Sequence, residues 1–558
     1  MPFFLLLLLS IGLVFDAVAQ PAAASSAAAP AIAASAAPAA DAPTDSGPRF
    51  ALLEFEIEGN SVLGVMAVEV AVTPFLGPDR SLADVEKARE ALERAYQGAG
   101  FLSVFVDIPE QKVDSGVVRL RVVEGRVDRL AVSGSRYYDQ GFIRRGVPAL
   151  APGTVPDFNQ LQAQLGTLNR DERQLQPVLR PGRTPGTVDA ELKVTDKLPL
   201  TAAIELNNRH AADTDPWRLQ ASLRYDNLFQ RDHSIALTAI TAPRETQQTQ
   251  VVSANYTAPL APDWTALAYT VWSDSEVEPL GVATVFGRGL TLGGRAIRQF
   301  GNGAHTVAFG ADYKNMKERL QAGTGELSTP LRYLPFTATY TGNWIDGRAL
   351  TTLTSNAVLA LRSILARNVD CPGNVGPVDQ FACKREGADG GFAYWRGDLR
   401  HTRPLLAATG LPGTLALRAG WQLAGQPLVS AEQYVAGGAD TVRGYLEAEG
   451  SGDDALFGSA EWRSPSLWGG TAGQAEPDSI WRIDELTLLA FVDAARLRTR
   501  QPGVGQASRL PLLGSGFGLR LKALRQMVAE LDLAWPLKDT ANTVSGEPRL
   551  HVRVGATF

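Results

Sequence analysis

The chain has 558 residues, 45% hydrophobic and 20% charged, with a mean hydropathy of -0.06. That balance excludes a bundle of transmembrane helices, which needs repeated apolar runs of ~20 residues. The 53 basic and 59 acidic residues leave a formal net charge of -6, with no sign of the concentrated positive face that nucleic acid requires. Two Cys and five His exclude a cysteine-rich fold and most multi-ligand metal sites. What remains is a soluble multidomain protein or a β-barrel, whose membrane character is hidden in averages because only alternate residues face lipid.

Residues 1–19 read as a secretory signal peptide: Phe3 to Val18 is nearly all apolar and ends at the small-x-small pattern Ala17-Val18-Ala19. The alternative is a membrane anchor, although the apolar stretch is short for a span. Residues 20–48 are mostly Ala, Pro and Ser, cannot bury a core, and read as a linker. An Ala-rich piece of that linker could also form a helix when docked as a plug.

Next come two small α/β modules, expected over 49–124 and 125–197. In the first, Leu52–Ile57 reads as a strand. Ser81 then caps a helix carrying Leu82, Val85, Ala88, Leu92 and Ala95 at helical spacing, and Gly98 and Gly100 stop it. Phe101–Ile108 and Val117–Val123 follow as strands, and Glu124-Gly125 closes the unit. The second opens with a strand over Val127–Val132. Asp157 then caps a helix, with Gln160 at the capping-box position and Phe158, Leu161, Leu165 and Leu168 as its apolar stripe. Gln176–Leu179, a turn at Arg180-Pro181-Gly182 and a strand through Val188, Ala190, Leu192 and Val194 complete it. Both stripes are core packing; the repetition of the unit is the informative feature.

From residue 198 to 558 the period changes to two. Leu219, Ala221, Leu223 and Tyr225 oppose Gln220, Ser222, Arg224 and Asp226; Leu531, Leu533 and Trp535 oppose Glu530 and Asp532. A soluble sandwich alternates as well. Here one face repeatedly carries Arg, Asp and Glu while the other is apolar with terminal aromatics, as lipid-facing strands around a polar lumen require. The terminal Phe558 lies on the apolar face and suits a barrel's C-terminal signal. At ~22 residues per strand and connection, this region accommodates about sixteen antiparallel transmembrane strands, enough for an aqueous channel. Cys371 and Cys383 flank a Pro- and Gly-rich segment and, in an exported protein, are expected to close a loop as a disulfide.

Two α/β modules followed by such a barrel resemble the transporters of two-partner secretion, the family of the filamentous haemagglutinin and haemolysin secretion proteins. The modules resemble POTRA domains. Leu179-Arg180-Pro181-Gly182, Pro185 to Asp189 and Leu198-Pro199-Leu200 are similar to that family's second POTRA and the start of its barrel, and Arg224 to Phe229 to its second strand. Gly437 to Tyr445 resembles its sixth extracellular loop, which folds back into the lumen. The resemblance implies that Arg443, within Val442-Arg443-Gly444-Tyr445, reaches Asp493 of the wall motif Phe491-Val492-Asp493. A plain alternative is that Arg443 is one more charge in an exposed loop. Two departures stand out: Ala495 replaces the usual Gly after the wall motif, and residues 463–486 form a long connection where a short periplasmic turn is expected.

The resemblance implies a non-enzymatic outer-membrane pore without cofactor or metal. Its partners would be a secreted exoprotein (a large β-helical adhesin or haemolysin), outer-membrane lipid and the barrel assembly machinery, with no nucleic acid. No Gly-rich loop followed by Lys and Ser or Thr marks an ATP site, so transport would be passive. The alternatives are an insertase of the same superfamily and a plain diffusion porin.

Overall fold

A computed structural model describes residues 49–558 apart from 275–287, 323–324, 372–375, 406–410, 469–482 and the single positions 114, 363, 366 and 504. The expected signal peptide and the linker, with the question of a plug helix in it, lie outside the described residues. No helix among the described residues is long and apolar enough to cross a membrane. The chain forms two compact units, the modules up to Pro199 and a barrel from Leu200.

The first module contains β1 (Phe50–Leu52), β2 (Glu54–Glu58), α1 (Val65–Val72), β3 (Gly77–Arg80), α2 (Leu82–Gly98), β4 (Val104–Asp107) and β5 (Val117–Glu124). β2 lies parallel and β4 antiparallel to β5. The expected strand over Leu52–Ile57 is split at Leu53, because β1 pairs separately with β3. The expected strand over Phe101–Ile108 is only β4, since Gly100 adopts a left-handed φ of +102° and Phe101 bonds back to Tyr96. Val85, Ala88, Leu92 and Tyr96 bury one face of α2, while Ser81 and Asp84 form its reciprocal capping box. Unforeseen was α1, a run apolar at every position but Glu69 that carries no side-chain cap.

The second module contains β6 (Arg126–Ser133), α3 (Gln140–Arg145), α4 (Phe158–Leu168), β7 (Arg173–Pro181) and β8 (Thr187–Asp196). β8 is the central strand, parallel to β6 and antiparallel to β7. Asp157 accepts the N–H groups of Asn159 and Gln160 and so caps α4. The turn expected at Arg180-Pro181-Gly182 begins later, because Arg180 and Pro181 still pair with Asp189 and Val188.

The barrel is closed and antiparallel. Gly325–Tyr333 and Pro335–Asp346 both run against the strand His305–Ala322, along its far and near halves respectively, so they form one wall strand interrupted at Leu334. Counted this way, the wall has sixteen strands, and an even number leaves both ends of the barrel domain at the same rim. The last strand, Arg549–Thr557, closes the ring against the first, Leu200–Asn207. Leu223, Val252, Leu292, Phe309, Leu417, Leu456, Val492 and Phe517 are exposed on the outside. Arg295, Asp312, Arg396, Gln422, Glu461, Asp493 and Asp532 are buried on the inside. The two-residue period thus separates an apolar outer face from a charged interior, as a lipid-embedded barrel needs.

The structure narrows the long connection and shows what Ala495 does to the ladder. Ser464 and Leu467 donate backbone hydrogen bonds to Leu488 and Leu486, and the next strand already begins at Ile483. The connection is therefore shorter than 463–486. At Ala495 the ladder runs without a break, opposite Phe457 on one side and Leu512 on the other.

Candidate functional site

The strands Gly413–Ala424 and Asp454–Arg463 are joined by a long segment at the rim away from the chain's start, the sixth connection there. Its stem is a short ladder of Tyr434–Ala436 against Gly450–Gly452. Gly437 and Gly438 have φ of +107° and +97°, and a Cβ on either would overlap Glu449 or Glu447. These glycines let the chain fold tightly back on itself. Thr441 braces the turn by bonding to Gly437 through its hydroxyl, and Glu447 accepts the N–H of Ala439.

Arg443 is buried inside the barrel. Its Nε and Nη2 donate to the two carboxylate oxygens of Asp493 at 2.7 and 3.0 Å, and its backbone N–H adds a third bond at 3.2 Å. Nη1 donates to Glu461 at 2.6 Å and lies 3.6 Å from Asp532. The guanidinium stacks over Phe491, 3.4 Å from the ring centroid. Asp493 is fully buried and also accepts from Ser459 at 2.6 Å. Arg463 pairs with Glu461 and Arg520 with Asp532, both at 2.6 Å. Three guanidiniums thus face three carboxylates, which leaves no uncompensated charge in the cluster.

The neighbours of Arg443 fix the rest of the tip. Val442 is fully buried against Phe457, Leu497 and Leu512. Gly444 has φ +97°, and a Cβ there would approach Pro536 N to 2.8 Å. Its N–H donates to His551 Nε2 at 3.0 Å. The hydroxyl of the buried Tyr445 donates its one proton toward the Lys538 carbonyl at 2.9 Å, with the Leu513 carbonyl at 3.1 Å, and accepts from the backbone N–H groups of Leu513 and Lys538. On the wall, Gly514 leaves room for the Arg443 carbonyl, which a Cβ would meet at 2.0 Å. Asp440 takes an ion pair from Arg209 at 2.6 Å, and its carbonyl accepts from Arg418 at 2.7 Å.

Every residue of the expected loop signature, Val442 to Tyr445, therefore meets the wall, where Phe491 and Asp493 receive Arg443. Sequence reasoning missed Glu461, Ser459, Asp532 and His551. Each is a polar residue on an inward phase of an alternating strand, but only the register brings them to one point. Cys371 and Cys383 are bonded, with Cα atoms 5.6 Å apart, in the fifth outer connection. Phe558 is exposed and exchanges two backbone hydrogen bonds with Ala202 at the closing seam.

Residues 50–125 match the ShlB-type POTRA domain, and residues 355–521, which include both Arg443 and Asp493, match the haemolysin secretion/activation protein ShlB/FhaC/HecB. Two separate stretches of the chain are thus similar to the ShlB/FhaC/HecB family. This is a family of outer-membrane transporters rather than enzymes, with its POTRA domains in the periplasm. The outer membrane transporter CdiB of Dickeya dadantii is 23% identical over 184 residues, which is 33% of this chain and 32% of that transporter. The alignment thus spans about a third of the curated relative's length. CdiB from Escherichia coli shares the fold with a TM-score of 0.59 at 17% identity, covering 94% of this chain and 93% of that one. BamA from Haemophilus ducreyi lacking POTRA domains 1–3 shares it with a TM-score of 0.56 at 14% identity, covering 92% of this chain and 100% of that one.

Proposed function

We propose that the protein is the outer-membrane pore of a two-partner secretion pair, taking an unfolded exoprotein from the periplasm to the cell surface. The observation that carries this reading is the buried Arg443–Asp493 contact, which fastens the sixth connection inside the lumen. A diffusion porin has no need of such a tether or of two modules. Residues 1–19 act as the export signal and 20–48 as the linker; the modules occupy 49–124 and 125–197 and the barrel 198–558.

Capture falls to the modules. β6 and β7 each pair on one side only, so an extended segment can add to the sheet through backbone hydrogen bonds that tolerate any sequence. Val65, Met66 and Val70 of α1 are about 70% exposed or more and offer an apolar face to an unfolded chain. The lumen is lined with paired charges and tolerates a polar, extended polypeptide. With no nucleotide supply in the periplasm, folding of the emerged chain outside biases the movement outward. The partner is a large β-helical adhesin or haemolysin. The surrounding lipid and, during biogenesis, the barrel assembly machinery are the other partners.

Co-expression with a candidate exoprotein tests the reading. Arg443→Ala at matched barrel abundance is expected to lower export at least about tenfold, in line with the loss of a buried pair; undiminished export contradicts the role of the tether. The fold shared with BamA raises an insertase as the second reading. Depletion distinguishes them: loss of one exoprotein from the surface supports the transporter, and a general loss of outer-membrane proteins supports the insertase.

A further inference from the structure

The outer rim of the barrel carries a group of arginines that the lumen does not use. In the strand Ile483–Arg498, Leu489, Phe491, Asp493, Ala495 and Leu497 are buried toward the interior, while Leu488, Val492, Arg496 and Arg498 are exposed on the opposite face. Arg498 lies opposite Arg509 of the strand Arg509–Ala523, so Arg509 shares the outward face. Leu456, the register partner of Arg496, and Val492 and Phe517, further toward the middle of the wall, point outward and are 62%, 52% and 65% exposed. The outward face therefore changes from apolar to cationic within a few residues. The change occurs at the rim opposite the Ala523–Met527 turn and the chain terminus.

The arginines are under-compensated. Arg500 binds Asp454 through Nε and Nη2 at 2.8 and 3.1 Å, and Arg498 lies 3.9 Å from the same carboxylate. Among the described residues, Arg496 and Arg509 meet no carboxylate. One negative charge thus serves four guanidiniums. Beside them opens a groove of about 660 Å³, bordered by Arg498, Arg500, Arg509, Ser508, Gln426 and Gly387.

Position and charge together narrow the ligand. A guanidinium fork matches the oxygens of a phosphate in two-bond geometry. Arginine on a lipid-facing wall is tolerated at the interface and costly near the midplane. A site for a soluble anion has no need of an apolar outward band beneath it. We propose that this rim binds the phosphate-bearing headgroup of an outer-leaflet glycolipid, with the acyl chains lying along Leu456, Val492 and Phe517. The assignment rests on the barrel's place in the outer membrane and is independent of what the protein exports.

The test uses the full-length protein in detergent, titrated with diphosphorylated lipid A, with its dephosphorylated form and with inorganic phosphate alone, and read by native mass spectrometry. The wild type is expected to retain the diphosphorylated lipid. The triple variant Arg496→Gln, Arg498→Gln, Arg509→Gln should bind it at least about tenfold more weakly, since each basic residue at the surface adds to the attraction. The corresponding Lys variant should recover most of the binding. Heat-dependent gel mobility reports folding; should the triple variant not fold, Arg509→Gln alone should show a loss of about threefold. Equal binding by wild type and Gln variants overturns the proposal, as does equal binding of the dephosphorylated lipid. Displacement of the lipid by micromolar inorganic phosphate overturns the lipid assignment.

Discussion

Arg443 is held by five contacts of different kinds: two side-chain bonds and one backbone bond to Asp493, one bond to Glu461 and a stack on Phe491. Removing one partner of a buried pair leaves the other charge without compensation, at a cost of about 3–5 kcal/mol. Arg443→Ala should therefore release the tip from the wall, and protease added outside should cleave between 437 and 449 only in the variant. Gly444 tests backbone fit in the same way. Its left-handed φ and the 2.8 Å approach to Pro536 make Gly444→Ala strained by about 1–3 kcal/mol, and hydrogen exchange at Tyr445 should speed up accordingly. The two ends of the pair were legible in sequence because each sits in a short motif. Glu461, Ser459 and Asp532 were not, because single polar residues on alternating strands carry no label until the register is known.

At the scale of elements, the helices divide sharply. α2 and α4 announce themselves through a cap and an apolar stripe. α1 does not: Val65–Val72 is apolar at every position but Glu69, and its β-branched residues suit a strand equally well. The first module also has a pH signature. Tyr96 is fully buried on α2 and donates to Asn60 at 2.7 Å. Burial, and after it the charge of Glu124, push its phenol up to about 12 from an ordinary 10.0. The raised folded value means that the neutral phenol stabilises the module fully below pH 10 and that this contribution is lost as pH rises from 10 towards 12. Hydrogen exchange of α2 should accelerate in that window for the wild type. Tyr96→Phe should abolish the alkaline step while costing about 1 kcal/mol at neutral pH.

The disulfide belongs to the same scale. Cys383 lies two positions before Arg385, whose guanidinium grips both oxygens of the buried Asp453 at 2.6 and 2.7 Å. The fifth connection is thereby fastened to the base of the sixth. Opening a loop of this size releases about 3 kcal/mol of chain constraint. Cys371→Ser combined with Cys383→Ser should make this outer loop sensitive to added protease while leaving barrel mobility on gels unchanged. Equal resistance in both forms would show that Arg385 alone holds the loop.

For the whole molecule, the near-zero mean hydropathy follows from the wall itself: half of each strand faces a charged lumen. Alternation and length together made the sixteen-stranded barrel legible, and charge on one phase of Arg218–Leu228 or Met527–Pro536 separated it from a soluble sandwich. The interrupted wall strand at Leu334 was not legible, since only the pairing of both halves with His305–Ala322 reveals it. Chain order then adds what composition lacks, with two sheet-and-helix modules before the barrel and a tethered connection within it. In the proposed function this assembly exports one partner. Its most direct test is the amount of partner exoprotein reaching the surface per folded barrel, compared among wild type, a strain lacking the protein, and Asp493→Asn. Export should vanish without the protein and fall at least about tenfold in Asp493→Asn; export that persists in the strain lacking the protein would rule out this transport role.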